Sequence, residues 1–270
     1  MSGIHDRAQL GFGRAGTVAA YERGRPGYPA DAVAELVRLL GVAPGVTVLD
    51  LAAGTGKLTR PLLATRAALL AVEPVAAMRD RLARALGPGP GGSGPRAWVV
   101  GGTAEAIPVR DGSLDAVTVG QAFHWFDAPR AVAELHRVLR PGGRLGLIWN
   151  VRDEARPPVA EIGAILDRHA GDAPRYRDGR WRAAFDAGDA FTPLNERTFH
   201  HLHHLDRAAV LDRFASISFI AALPDADRAR VLAEIDQVIA ADPSLAGRDR
   251  IGLPYRTDLY WCRRRGHADA

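Results

Sequence analysis

A single cysteine, Cys262, stands among 270 residues, so no disulfide can form within the chain. A reducing, cytoplasmic setting is the default expectation for such a sequence. Lysine is as scarce, Lys57 being the only one, and the sequence pI near 9.7 is therefore carried by arginine. Acids nearly balance those arginines, leaving a formal charge of +4. The arginines are spread along the chain rather than gathered in a stripe, which removes the electrostatic case for nucleic acid. No stretch approaches the roughly 20 apolar residues of a membrane-spanning helix, and the opening MSGIHDRAQLGFGRAG lacks the apolar centre of a signal peptide. A soluble protein with no membrane partner is expected, as a monomer or a homodimer. What the chain does have is an apolar content of 47%, enough for a substantial core.

The most informative stretch is 46–59, VTVLDLAAGTGKLT. Val46, Val48, Leu49 and Leu51 make a short buried-strand pattern. Ala52, Ala53, Gly54, Thr55 and Gly56 then carry no bulky side chain before a helical pattern begins at Lys57. A strand that turns sharply into a helix through small residues lets backbone approach a ligand closely and aims the free amides of the first helical turn at it. Asp50 adds a carboxylate at the end of that strand.

Around this unit the chain alternates. A helix is predicted over 31–40, stopped by Gly41, and another over 57–65 after the opening strand. A strand over 67–72 ends at Glu73-Pro74, a helix covers 75–86, and the Gly- and Pro-rich 87–95 reads as a surface loop. Strands follow at 97–100 and 114–119, then a helix at 129–139, a break at Arg140-Pro141-Gly142-Gly143, and a strand at 144–149. Beyond Asn150 the rhythm changes: 159–169 and 228–241 look helical, 180–184 a short turn, and 196–202 and 251–262 strands. The fold class is therefore α/β: a Rossmann-like, doubly wound sheet of seven strands, mostly parallel with an antiparallel edge, and a helical cap over 205–246. The organisation expected is one integrated domain. Its parts are an N-terminal lid segment and first helix (1–42), a cofactor-binding core (43–150), and the cap with the last two strands (151–270).

Three glycine-turn chemistries compete for the opening stretch. A phosphate-cradling P-loop needs Gly four residues before Gly56-Lys57 and a hydroxyl after the lysine, but Leu51 and Leu58 stand there. A dinucleotide site wants three glycines, and Gly54, Gly56 and Thr59 supply two, although Glu73 sits where an acid holds ribose hydroxyls. The third uses more of the chain. Asp50-Leu51-Ala52-Ala53-Gly54-Thr55-Gly56, Ala71-Val72-Glu73-Pro74, Gly102-Thr103-Ala104-Glu105 and Arg140-Pro141-Gly142-Gly143, in this order, resemble the class I S-adenosylmethionine-dependent methyltransferases. Tyr21-Glu22-Arg23-Gly24-Arg25-Pro26 before the first motif and Phe123-His124-Trp125-Phe126 after the fourth strand make the chain similar to a small-molecule group among them. That group has methyltransferase type 11 motifs and includes trans-aconitate methyltransferase-like proteins. Ala52 departs from the pattern, many members having glycine there, and implies a slightly tighter pocket.

The resemblance implies S-adenosylmethionine as cofactor and S-adenosylhomocysteine as product. Glu73 would accept both ribose hydroxyls, and the backbone of Ala52, Gly54 and Gly56 would lie against the methionine and ribose. Asp50 would hold the ammonium directly or through water. Pro74 and Met78 would contact adenine, and Thr103, Ala104 and Glu105 would hydrogen-bond its edge. Gln121 would lie at the switch point of the sheet.

For the acceptor, a small molecule is expected, methylated at a hydroxyl or carboxylate oxygen. His124 is the best-placed base, and Trp125, Phe126 and Ser218 are candidate walls. Tyr21, Arg25 and Tyr28 lie on the implied lid, where an arginine can orient a carboxylate bidentately. His200-His201-Leu202-His203-His204 splits its rings between the two faces of a strand, so no metal is expected. Transfer to nitrogen or carbon, a nicotinamide-dependent oxidoreductase, and a non-catalytic cofactor-binding protein remain alternatives.

Overall fold

The structure, a computed structural model, describes residues 24–87, 97–171, 174–186 and 188–266. Helix α1, Ala30–Leu40, buries Ala32, Val33, Leu36 and Leu40 at helical spacing and ends at Gly41 in the left-handed conformation. Strand β1, Thr47–Leu51, leads through the small-residue turn to a short helix α2, Thr59–Leu62, continued by a 3-10 turn over Leu63–Thr65. The helix begins two residues later than the pattern at Lys57 suggested, because the turn continues through Leu58. Strand β2, Ala68–Val72, helix α3, Ala76–Leu86, strand β3, Trp98–Val100, and strand β4, Leu114–Gly120, follow. Helix α4, Ala128–Val138, is capped by Asp127, whose side chain accepts from the Arg130 amide.

Strand β5 runs from Leu139 to Arg152 without the break predicted at Arg140-Pro141-Gly142-Gly143. Those residues are absorbed as an irregular start: the pairing with β4 shifts register between Leu114 and Ala116, and Gly142 and Gly143 bond the backbone of Arg264 instead. Helices α5, Pro157–Asp167, and α6, Ala183–Asp186, precede strand β6, Asn195–Leu205, which is longer than expected and carries the whole histidine run. Helices α7, Arg207–Ala215, α8, Ser218–Ala221, and α9, Asp225–Ala241, form the cap before strand β7, Ile251–Arg263.

The seven strands make one sheet in the order β3-β2-β1-β4-β5-β7-β6. The first five are parallel, and β7 pairs antiparallel with both β5 and β6. The predicted antiparallel edge on the same sheet is thus present. Alternate side chains divide between the faces. Leu49, Leu51, Val117, Val119, Leu145 and Leu147 pack under α4 with Trp181 and Phe185. Val48, Leu69, Ala116 and Ile148 pack under α1, α2 and α3. A third cluster joins α5, α7 and α9 to Leu253 and Tyr255 of β7. At about 2 kcal/mol for each fully buried aliphatic side chain, these layers supply most of the drive to fold and fix the strand ends on which the site is built.

No helix among the described residues is long and apolar enough to cross a membrane. On β6, His201 and His203 do share a face, both beside the Tyr255 ring, and the described residues contain no group of three His, Cys, Asp or Glu able to hold a metal.

Candidate active site

Strand order reverses between β1 and β4, and a cavity of about 300 Å³ opens at the carboxyl ends of the strands there. This is where a doubly wound sheet places its ligand. From the β1 turn, Ala52 and Gly54 line it. Both adopt positive φ, +56° and +58°, and in that conformation the chain doubles back at the strand end. Gly56 does not line the cavity. A Cβ there would stand 2.3 Å from Leu82 Cδ1, so this glycine lets the turn pack on α3 rather than touching a ligand.

Glu73, at the tip of β2, is 4% exposed and borders the cavity. Its Oε2 accepts the Gly54 amide and its Oε1 the Val75 amide, both at 2.9 Å. Burial raises its pKa above the ordinary carboxylate value, opposed by those two amides and by Arg79. Each oxygen keeps a further lone pair, so two vicinal hydroxyls can be accepted without disturbing the amides. Pro74 and Met78 line the same wall, as do Thr103, Ala104 and Glu105 beyond β3. The Glu105 carboxylate accepts the Asp127 amide at 3.0 Å.

Asp50 lies below the floor, 1% exposed, where the Thr59 and Thr118 hydroxyls donate to its two oxygens at 2.6 and 3.2 Å. Burial, the largest influence, lifts its pKa to about 6. It does not reach the main cavity but borders a smaller one beside it, with Tyr28, Thr55 and Lys57. The Thr55 hydroxyl is buried without a hydrogen-bond partner among the described residues. That orphaned donor and Asp50 fit the polar amino-acid end of S-adenosylmethionine, as Glu73 fits its ribose.

Gln121 follows β4 with φ +60°, and its side-chain amide donates to the Asn150 carbonyl at 3.0 Å. Asn150 in turn donates to the Gly27 carbonyl at 3.0 Å, fastening the segment that carries Arg25 and Tyr28 to the end of β5. Arg25 lines both cavities and donates to the Ser216 carbonyl at 3.1 Å. Tyr21 lies outside the described residues.

A 3-10 turn over Phe123–Trp125 presents His124, with Trp125 and Phe126, to the cavity. Phe123 is its anchor, wholly buried against Phe126, Trp181 and Phe185. The indole of Trp149 donates to His124 Nδ1 at 3.2 Å, so the neutral ring carries its proton on Nε2. Burial first, then the Arg25 charge, pushes the His124 pKa down to about 3. The roof comes from the cap, through Arg213, Ile217, Ser218 and Phe219, and from a segment carrying Arg175, Tyr176 and Arg177.

The Trp149, Asn150 and Arg152 positions were missed in the sequence, although they lie at the carboxyl end of a central strand and that rule alone would have flagged them. Arg213 and Tyr176 carry no such signal. Only the packing of the cap brings in Arg213, and only the long-range bonds of the roof segment to Asp258 and Tyr260 bring in Tyr176.

The methyltransferase domain family matches residues 49–147, the span from β1 to the middle of β5. An uncharacterised methyltransferase of Mycobacterium tuberculosis is 42% identical over 248 residues, covering 92% of this chain and 93% of that one. The chain belongs to the methyltransferase family. It is an S-adenosylmethionine-dependent methyltransferase, and the oxidoreductase alternative falls. Further afield, an uncharacterised methyltransferase-like protein of Schizosaccharomyces pombe is 34% identical over 241 residues, 89% of this chain and 91% of that one. Among solved structures, a protein provisionally described as a type II methyltransferase from Anaeromyxobacter dehalogenans superposes with a TM-score of 0.59 at 25% identity. It covers 89% of this chain and 97% of that one.

Proposed function

We propose that this methyltransferase acts on a small molecule and delivers the methyl group to one of its oxygens. The observation that carries this is the shared lining of the site. Tyr176, Ser218 and Phe219 line the same cavity of about 300 Å³ that Glu73 borders, so roof and cofactor wall face one concave space, the kind of site that takes a small molecule.

S-adenosylmethionine, when bound, supplies an electrophilic methyl on a sulfonium. Glu73 would hold its ribose, Met78 and Pro74 its adenine with Thr103 to Glu105 at the edge, and Asp50 and Thr55 its amino-acid end. Trp125, Phe126 and Phe219 keep water from the reacting centre, and aromatic faces favour a cation there by about 0.5–2 kcal/mol. His124 is neutral, the state a base requires, but a pKa of about 3 makes it a feeble one. Its Nε2–H is better suited to donating a hydrogen bond that orients the acceptor. An acceptor that arrives already ionised, such as a carboxylate, needs orientation and no base, which favours oxygen over an ammonium nitrogen that must first lose a proton.

Incubation with S-adenosylmethionine labelled at the methyl group and a panel of hydroxy and carboxylic acids tests this. A labelled product that mild alkali releases as methanol is an ester. A label retained on nitrogen or carbon, by mass spectrometry and NMR, would overturn the oxygen assignment.

A further inference from the structure

Charge is sorted along the cavity. Its acids Glu73 and Glu105 follow β2 and β3, whereas Arg152 ends β5, three strand spacings from β2 or about 14 Å away. Near Arg152 the cap and the roof segment add Arg213, Arg175 and Arg177, with Glu154 as the one acid among the lining residues at that end. The two roof arginines have a counter-ion in Asp167, at 2.6 Å from Arg175. The other two are poorly matched. Arg213 is 5% exposed, and its Nε donates to the Tyr255 hydroxyl at 2.8 Å, but its Nη1 has no partner among the described residues. Arg152 keeps 17% of its side-chain exposure, stands 3.6 Å from Glu154, beyond hydrogen-bond reach, and leaves a buried Nε without a partner among the described residues. Burial and the like charges of Arg213 and Arg175 press its pKa down.

Two guanidiniums, Arg213 buried and Arg152 half-buried with Glu154 as its one acid, repel each other and each leave a buried N–H donor unsatisfied, an arrangement that a bound anion would stabilise. A ring stands beside each: Phe214 lies 6.0 Å from the Arg152 guanidinium and Tyr255 5.9 Å from that of Arg213. The planar fork of a guanidinium matches a carboxylate or phosphate.

We propose that Arg152 and Arg213 form an oxyanion subsite in the acceptor half of the cavity, and that the methyl acceptor carries a carboxylate or phosphate bound there. This rests on the small-molecule reading above. The two arginines differ usefully. Arg213 also borders the smaller cavity beside Asp50, where a cofactor carboxylate would lie, whereas Arg152 borders only the larger one. Arg152, at the end of the larger cavity away from Glu73, is therefore the cleaner reporter on the acceptor.

The test is calorimetric titration of the full chain, with and without saturating S-adenosylhomocysteine, using succinate, inorganic phosphate and uncharged erythritol as probes. Succinate or phosphate should bind with an affinity that falls as sodium chloride rises, and erythritol should not. The tighter of the two anions identifies the acceptor's group. Arg152→Gln should weaken that anion by about tenfold or more, and Arg152→Lys by less, while S-adenosylhomocysteine affinity stays within about twofold. Binding of neither anion, or equal binding by Arg152→Gln, overturns the subsite. Failure of S-adenosylhomocysteine to bind would instead strike the assignment of this cavity to cofactor and acceptor together, and the anion titrations without it still decide the subsite.

Discussion

Glu73 accepts the backbone amide of Gly54 at 2.9 Å, so the tip of β2 and the turn after β1 are one unit. The carboxylate orients the turn, and the turn orients the carboxylate, before any ligand arrives. Replacing Glu73 by alanine removes both the charge-assisted acceptors for two hydroxyls and the acceptor for the Gly54 and Val75 amides. S-adenosylhomocysteine affinity by calorimetry should fall by about a hundredfold or more, and urea unfolding should show a loss of about 1–3 kcal/mol. Glu73→Gln should share both defects in milder form, because its NH₂ must face one of the two amides. Unchanged ligand affinity in the alanine variant would remove Glu73 from the pocket.

Ala52 holds φ at +56°, a conformation that costs an L-residue with a Cβ about 1–2 kcal/mol. Ala52→Gly should therefore stabilise the protein, by about 1 kcal/mol after allowance for glycine's freedom in the unfolded chain. Gly54→Ala should do the reverse, for φ there is +58°, although a Cβ would meet only Met78 Sδ at 3.9 Å. The cost is thus one of backbone strain, not of crowding. Paired chemical denaturation of the two variants checks it, and a destabilised Ala52→Gly would show that the methyl packs usefully.

His124 predicts a pH dependence whose sign follows from its depressed pKa of about 3. Unfolded, the ring titrates near its ordinary 6.5. Between these values an unfolded chain takes up a proton that the folded one refuses. The stability linked to His124 is complete above pH 6.5 and is lost as pH falls toward 3. The loss between pH 7 and pH 5 should be about 2 kcal/mol by urea unfolding, and His124→Phe should lack that increment of slope. The wild-type pH–rate profile should show no histidine inflection from pH 5 to 8. An inflection near 6.5 that His124→Phe abolishes would restore the imidazole as the proton acceptor.

The sheet was legible because its parallel strands are short apolar runs separated by amphipathic helices, and the cavity wall at the ends of β1 and β2 was legible because Ala52, Gly54 and Glu73 are fixed by backbone geometry that only certain residues satisfy. Gly56 looked like part of the pocket for the same reason, yet its neighbour is Leu82, which no local pattern reveals. Arg140-Pro141-Gly142-Gly143 read as a break, and long-range pairing with Arg264 overrode that local preference. The acceptor side was hardest to read. Arg152 at least stands at the carboxyl end of a central strand, but Arg213 lies 61 positions further along the chain, and nothing near it signals that the cap turns it inward.

Tyr176 connects that roof to the sheet. Its hydroxyl donates to Asp258 Oδ2 at 2.7 Å and lies 2.6 Å from the Tyr260 hydroxyl, to which Arg182 donates at 2.7 Å. Arg182, Tyr260, Tyr176 and Asp258 thus form a relay of donors ending on a carboxylate that is 4% exposed and also accepts from Thr198 and Arg256. Burial and these partners drive the Tyr176 pKa far upward, so the hydroxyl stays protonated and keeps donating. In Tyr176→Phe, Asp258 retains two donors but the Tyr260 hydroxyl loses its acceptor, for a cost of about 1–2 kcal/mol. The ring's tilted contact with Trp149, with centroids 4.8 Å apart, should survive, so the turn loosens without unfolding. Tyr176 lines the cavity on its roof side, so if the acceptor binds under that roof as proposed, KM for the acceptor should rise severalfold while S-adenosylhomocysteine affinity is unchanged. A rise in the cofactor constant instead would place this segment over the wrong ligand.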